Sequence, residues 1–294
     1  MSPSKKPGQS EPDPKQLLLD ALEMRWENYR TELKNCRSEF TEEAVHDLRV
    51  ATRRILALIQ LLNSISPRPR LKKMARAFKD QLDEFDDLRD TQVILGELSG
   101  ILQELPQLEE FETYLRSHEE QMLQDLRKKL KQRDTSEITG WIHKTRDDLD
   151  VETTNDLESQ ILDAVDDAFL VVRQRLGWVD LARSATVHRV RVVFKAFRYM
   201  VEIVYPLLSD FPPGILKQMN DYQTLMGDIQ DLEVFVQTLA DFTENASFPD
   251  LNAVQHYYEK RHSEAISAFM SAMNQLHNFW RPAADQPFPW DQAQ

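Results

Sequence analysis

Apolar residues recur at three- and four-residue spacing along most of the chain, which predicts helices with one buried face each. Over 184–208 the apolar face is Val190, Phe194, Phe197, Val201 and Val204; over 41–64 it is Leu48, Ile55, Ile59 and Leu62. Proline-bearing breaks punctuate the pattern at Ser66-Pro67-Arg68-Pro69, Leu105-Pro106, Asp210-Phe211-Pro212-Pro213-Gly214 and Phe248-Pro249-Asp250. Between them the pattern predicts helices over 13–34, 41–64, 69–98 and 106–133, then 155–176, 184–208, 212–242 and 249–280, with Thr41 and Ser184 as N-caps. Short connections between long helices favour antiparallel neighbours, so an all-α fold is expected, each half a four-helix bundle over 13–134 and 155–281. Residues 1–12 read as a disordered leader, 135–154 as a connector with a short helix around Trp141, and 282–294 as a Pro-rich tail.

The polar faces carry a repeat. Val45-His46-Asp47-Leu48-Arg49-Val50-Ala51-Thr52-Arg53-Arg54 is matched by Val187-His188-Arg189-Val190-Arg191, continuing to Lys195 and Arg198-Tyr199. His46 and His188 are 142 apart (188 − 46), and the acidic segments that follow end at Asp90 and Asp231, 141 apart (231 − 90). A repeat of that length is domain-sized. His46, Arg49 and Arg53 share the stripe opposite the apolar face, with Arg54 beside it; His188, Arg191, Lys195 and Arg198 do the same in the second half. Lys72, Lys73, Arg76 and Lys79 add cations on the next predicted helix, the stripe of Lys72, Arg76 and Lys79 turned away from Met74, Phe78 and Phe85.

Composition sharpens this picture. The chain has 294 residues, 41% hydrophobic, with only 7 Gly, which suits a largely helical protein. Its single cysteine, Cys36, excludes an internal disulfide framework and a Cys-based zinc site. Neither a signal-peptide core nor an apolar run of membrane-spanning length is present, so a cytoplasmic protein without membrane contact is expected. Formal net charge is −13, yet nine Lys or Arg face a single acid, Asp47, between Ala44 and Lys79. The segment from Asp80 to Asp90 then holds six acids against Arg89.

A charge stripe opposite an apolar stripe is ordinarily a solvated face. Such a face mixes signs, because opposite charges four residues apart stabilise a helix and like charges destabilise it. Here an acid-rich chain keeps acids out of both stripes except for Glu202, and self-repulsion of that kind points to a bound polyanion. Arginine forks and lysine point charges suit phosphate oxygens. The second stripe rises through roughly four turns, about 20 Å, more than one phosphate needs and suited to a linear polymer. A metal at His46 or His188 is disfavoured by the neighbouring cations, and nucleic acid by the net acidity. No Gly-rich phosphate loop, HExxH or GxSxG motif supports catalysis, so no catalytic residue, metal or cofactor is assigned. Phosphotransfer or processing of phosphate esters or polyphosphate through His46 or His188 stays open as an alternative, as does docking of an acidic protein segment. Asp90 and Asp231 are expected to orient neighbouring cations, and Tyr199 and Trp178 to pack with a polar handle.

These residues resemble the CHAD family, the conserved histidine α-helical domain. The resemblance rests on His46-x-x-Arg49-x-x-x-Arg53-Arg54 and His188-x-x-Arg191-x-x-x-Lys195 with Arg198, and on Leu88-Arg89-Asp90 with Val93 and Leu225-Met226-Gly227 with Asp231 and Val234. It covers about Asp13 to Arg281. Two departures stand out: Asp86 at the counterpart of Gly227, which bears on the helix turn there, and Ala196 at the counterpart of Arg54. The resemblance implies two bundles related by pseudo-twofold symmetry around a basic groove or pore, and binding of inorganic polyphosphate, with association with polyphosphate granules. The binding residues it implies are His46, Arg49, Arg53, Arg54, Arg76, Lys79 and Arg89, then His188, Arg191, Lys195, Arg198 and Lys217, with Lys72 and Lys73 beside them. Arg25, Arg30, Arg116, Arg173, Arg175 and Arg261 are more distant additions. Oligomeric state is left open.

Overall fold

The computed structural model describes residues 13–151, 156–244 and 251–292; the expected leader and parts of the connector and tail lie outside these. Among the described residues there is no strand. The helices are α1 (Pro14–Ser38), α2 (Glu42–Ile65), α3 (Pro69–Asp83), α4 (Asp86–Ile101), α5 (Glu109–Gln132), α6 (Ser136–Asp150), α7 (Leu157–Leu176), α8 (Ala185–Val204), α9 (Ile215–Thr243) and α10 (Asn252–Ala272), with short 3-10 turns between and after them. None of them is long and apolar enough to cross a membrane.

Several helix starts follow from local chemistry. Asp13 caps α1 by accepting from the Lys15 amide at 3.0 Å, with Pro14 at the first helical position, where its missing N–H costs nothing. Thr41 caps α2 as expected, accepting from the Ala44 amide. Ser184 does not: it precedes α8 in helical geometry without a side-chain capping bond. That entry is held instead by Thr186, whose hydroxyl donates to the Asp180 and Arg183 carbonyls and accepts from the Asp180 amide. The turn into α2 puts Phe40 at φ 52 with its ring buried, a left-handed backbone that burial must hold in place.

One expectation is corrected, and another is met by a longer element. The helix predicted over 69–98 is broken at Glu84-Phe85 into α3 and α4, whereas its partner over 212–242 runs unbroken as α9. No Gly or Pro marks the break. The connector holds a full helix, α6, which packs on α1 and α3 and lays Trp141 under the Lys73 ammonium at 5.8 Å.

The interior divides into two apolar clusters, and the division does not fall at the middle of the sequence. The larger draws Leu22, Ile55, Phe78, Ile142, Phe169, Phe197 and Tyr222 from both halves, closing over Phe279 and Trp280. Trp280 sits edge-on to Phe197, and its indole donates to Asp166, which also takes a double hydrogen bond from Arg281. The smaller cluster gathers Leu98 of α4, Phe111 of α5, Phe235 of α9 and Tyr258 of α10. Because α2 packs on α8, and α4 on α9, the polar stripes of the two halves meet inside the molecule.

Candidate functional site

The α2–α8 crossing brings the two cationic stripes together, and they are not solvated faces. Arg49 and Arg198 are only 4% and 8% exposed, and Arg53, Arg191 and Lys195 are half-buried between them. Each of these helices therefore spends two faces on packing, one apolar and one cationic.

Arg49 on α2 is held tightly. It donates to the Leu82 carbonyl at 2.9 Å and to Asp86 Oδ1 at 2.7 Å. These bonds sit at the break between α3 and α4, where the Leu82 carbonyl also accepts from the Phe85 amide at 3.0 Å. The Leu82 carbonyl is turned to Arg49, and Asp86 begins α4, where a carboxylate suits the positive end of the helix. Arg198 on α8 is held as well, donating to Glu202 Oε1 at 2.8 Å and Gln223 Oε1 at 3.1 Å while stacking on Tyr199. Glu202 reaches across to Arg54 at 3.5 Å, so one carboxylate ties the two stripes together.

Arg53, Arg191 and Lys195 differ. Among the described residues none of them has an ion pair with a carboxylate. Arg191 lies against the backbone of α9 at Gly227, with Nε and Nη2 each 3.6 Å from the place of an added Cβ; its Nε is buried without a hydrogen-bond partner. Burial, reinforced by Arg49 and Arg191, pushes Arg53 down to about 10. Burial first, then Arg53, Arg191, Arg49 and Arg198, pushes the Lys195 ammonium down to about 6. A cation that gives up its proton this readily is short of negative charge around it. Arg25 of α1 is likewise pushed down to about 10 by burial, partly offset by Glu202, and donates to the Arg54 carbonyl at 3.2 Å.

The histidines stand at the start of the ridges. His46 is exposed, and partial burial, then Arg89, lowers its basicity. His188 is half-buried, with Nδ1 lacking a partner. Arg89 on α4 pairs with Glu42 at 3.0 Å, closing the first half over His46.

An acidic row from α4 and α9 faces this cluster. Burial, then Asp86, raises Asp90 to about 6; burial also raises Asp231, against the pull of Arg191, Arg89 and Lys195. Asp228 rises for the same reason, with Asp231 adding to it. Asp90 and Asp231 thus lie near the cations, but among the described residues neither forms an ion pair with them, so the expected orienting role has no direct contact behind it. Next to the row, α4, α9 and α10 enclose a cavity of about 290 Å³ whose lining includes Glu97, Asp231, Tyr258 and Arg261.

Other predicted residues lie outside the half-buried cluster. Arg76, Lys79 and Lys217 are exposed, each beside an acid one turn on: Asp80 at 4.0 Å, Asp83 at 2.8 Å and Asp221 at 2.6 Å. Lys72 is exposed, and Lys73 is turned to Trp141. Arg30 and Arg116 pair along their own helices, Arg173 donates to the Pro282 carbonyl, and Arg261 pairs with Glu97. Trp178 is 66% exposed with Arg175 over its ring, not a packing residue; Tyr199 is buried as expected. Sequence reasoning missed Glu202 as the cross-tie, although its place four residues after Arg198 was visible, and missed that Gly227 makes the seat for Arg191.

A family model described as the CHAD domain matches residues 20–240. The crystal structure of the CHAD domain from the plant Ricinus communis is similar to this chain at 16% identity, covering 92% of each chain with a TM-score of 0.66. No curated protein matches the chain.

Proposed function

The chain belongs to the CHAD domain family, and on that premise we propose that it binds inorganic polyphosphate, without catalysis, along the groove between α2 and α8. The observation that carries this reading is the set of half-buried basic groups, the Arg53 and Arg191 guanidinium charges with the Lys195 amine between them, gathered from two helices and, among the described residues, in no ion pair with a carboxylate. Leaving such charges unpaired inside a protein is costly, and a bound anion removes the cost. A single phosphate would reach only part of the row; a linear chain carrying one charge per unit meets successive turns of both helices. The polymer would also meet His46 and His188 and run outward over Arg89, Arg76, Lys79 and Lys217. Association with polyphosphate granules follows from the same chemistry.

We further propose that the chain is a duplicated pair of four-helix bundles about a pseudo-twofold axis. In support, the starts of α1, α2 and α5 recur 143 residues later as those of α7, α8 and α10 (157 − 14, 185 − 42, 252 − 109).

Retention on polyphosphate of Arg53→Glu combined with Arg191→Glu tests the binding reading. Arg49 is a poorer choice because it holds the α3–α4 junction. Charge-assisted hydrogen bonds contribute about 1.5–3 kcal/mol each, so the pair should weaken binding at least roughly a hundredfold while the helical circular dichroism is kept. Affinity should also fall steeply with salt. Unchanged binding in the folded double variant refutes the groove. RNA and triphosphate serve as controls, and equal binding of either would remove the preference for the polymer.

A further inference from the structure

We propose that Lys195 is a site of covalent acylation by acyl phosphates, the mixed anhydrides of a carboxylic acid with phosphate, which the surrounding guanidinium groups seat beside its amine. Lys195 lies one turn from both Arg191 and Arg198 on α8, which packs on α2, and it feels the charges of Arg53 and Arg49 there. Arg25 is the charged group that α1 adds nearby, toward Arg54 and Glu202, and Asp231 is the acid of α9 that feels Lys195. The side chain is half-buried and, among the described residues, has no ion pair that would hold it charged. With its ammonium pushed down to about 6, Lys195 is a free amine at neutral pH.

The step balances on the residues present and the one reagent. The amine lone pair attacks the acyl carbon, a C–N bond forms, and the C–O bond to phosphate breaks. Phosphate leaves with the bonding pair, and the proton from nitrogen passes to it. Arginines beside the amine stabilise the charge that develops on the leaving oxygen. A small dianion offsets two of the four neighbouring guanidinium charges, so the amine stays depressed and reactive. A long polyphosphate would offset them all, protonate the amine and cover it. The product is a neutral amide in the middle of the ridge, so acylation and polymer binding oppose each other. The chemistry at Lys195 rests on the cation cluster alone; only this antagonism rests on the polyphosphate reading.

Acetyl phosphate at pH 7, followed by peptide mass spectrometry of every lysine, tests the assignment. An ordinary lysine is free amine at about one part in a few thousand at this pH; the lower nucleophilicity of a weaker base takes back part of that gain, leaving about tenfold. Lys195 should therefore acetylate about tenfold or more faster than exposed Lys72 and Lys217, and inorganic phosphate or Arg53→Gln should slow Lys195 alone. A Lys195 rate no higher than that of the exposed lysines overturns the proposal, and so does labelling indifferent to phosphate. Fast labelling in a protein that ignores polyphosphate would keep this site and sink the binding reading; the reverse result would do the opposite.

Discussion

Arg49 and Arg191 stand at matching places in the two halves, yet only one of them is occupied. Arg49 spends its guanidinium on Asp86 and the Leu82 carbonyl, where the helix breaks between α3 and α4. Arg191 rests on the bare backbone at Gly227 of an unbroken α9, with no acid among the described residues in an ion pair with it. The next turn differs too: Arg53, a cation at any ordinary pH, is matched by Lys195, which loses its proton near 6. Arg54, tied to Glu202, is matched by Ala196. The first half is therefore a braced, partly neutralised cationic element, and the second an open one. A polyanion arriving at the groove would find its freest arginine in the second half and its most permanent charges in the first.

Exchanging the braces should expose this asymmetry. Gly227→Asp places a carboxylate where Arg191 now lies free. The helix there has ordinary geometry and an added Cβ meets only normal contacts, so folding should survive. Polyphosphate affinity should fall about thirtyfold, as expected for losing one charge-assisted contact of about 2 kcal/mol and adding a repulsive charge. An affinity within twofold of the parent, measured by competition with a labelled polymer, would mean that Arg191 is not a contact. The converse change is smaller. Asp86→Asn keeps a hydrogen-bond acceptor for Arg49 but removes the charge, and should tighten binding about threefold to tenfold. Its cost at the start of α4 should stay within about 1 kcal/mol, as for a carboxylate in a first turn.

Much of this asymmetry was legible in the residues. The His-Arg-Arg and His-Arg-Lys stripes, the 142-residue offset and the departures at Asp86 and Ala196 can all be read without coordinates. What stayed hidden follows from one physical fact. A stripe opposite an apolar face reads as solvent-facing, and only the packing of α2 on α8 reveals that both faces are covered. The break at Glu84-Phe85 was invisible because no residue there disfavours a helix; Arg49, thirty-odd residues earlier, bonds the Leu82 carbonyl and Asp86 on either side of it. The mixed core was hidden as well, since periodicity shows which face is apolar but not which helix it meets. Arg76, Lys79 and Lys217 looked equal to Arg191 in the sequence, and their exposure away from the α2–α8 crossing sets them apart.

Titration should separate the halves further. In the empty protein Lys195 ionises near 6, and a bound polymer raises that value by supplying negative charge. A group raised on binding contributes fully below its unbound value, and its contribution disappears as pH rises through the bound one. Asp90 acts with the same sign: above about 6 it is charged and repels the polymer, and below it is neutral. Binding should therefore tighten about tenfold from pH 8 to pH 5.5 at constant ionic strength. Lys195→Arg makes the second half resemble the first and should flatten much of that slope while raising affinity at pH 8. A flat profile in the parent would deny that Lys195 gains a proton on binding.

The smallest effect should come from the cation the second half lacks. The Arg54 side chain is 44% exposed, and its partner Glu202 already serves Arg198 at shorter distance. Exposed pairs of this kind are worth about 0–1 kcal/mol, because solvent screens them and two flexible side chains must be ordered. Replacing Arg54 by the alanine found at its counterpart should thus cost no more than about threefold in affinity. Raising the salt should erase even that, since the effect acts through solvent-exposed charge. A loss approaching that of Gly227→Asp would show that the two cross-tied cations, and not the unpaired ones, carry the affinity, and the contrast between the halves would have to be turned around.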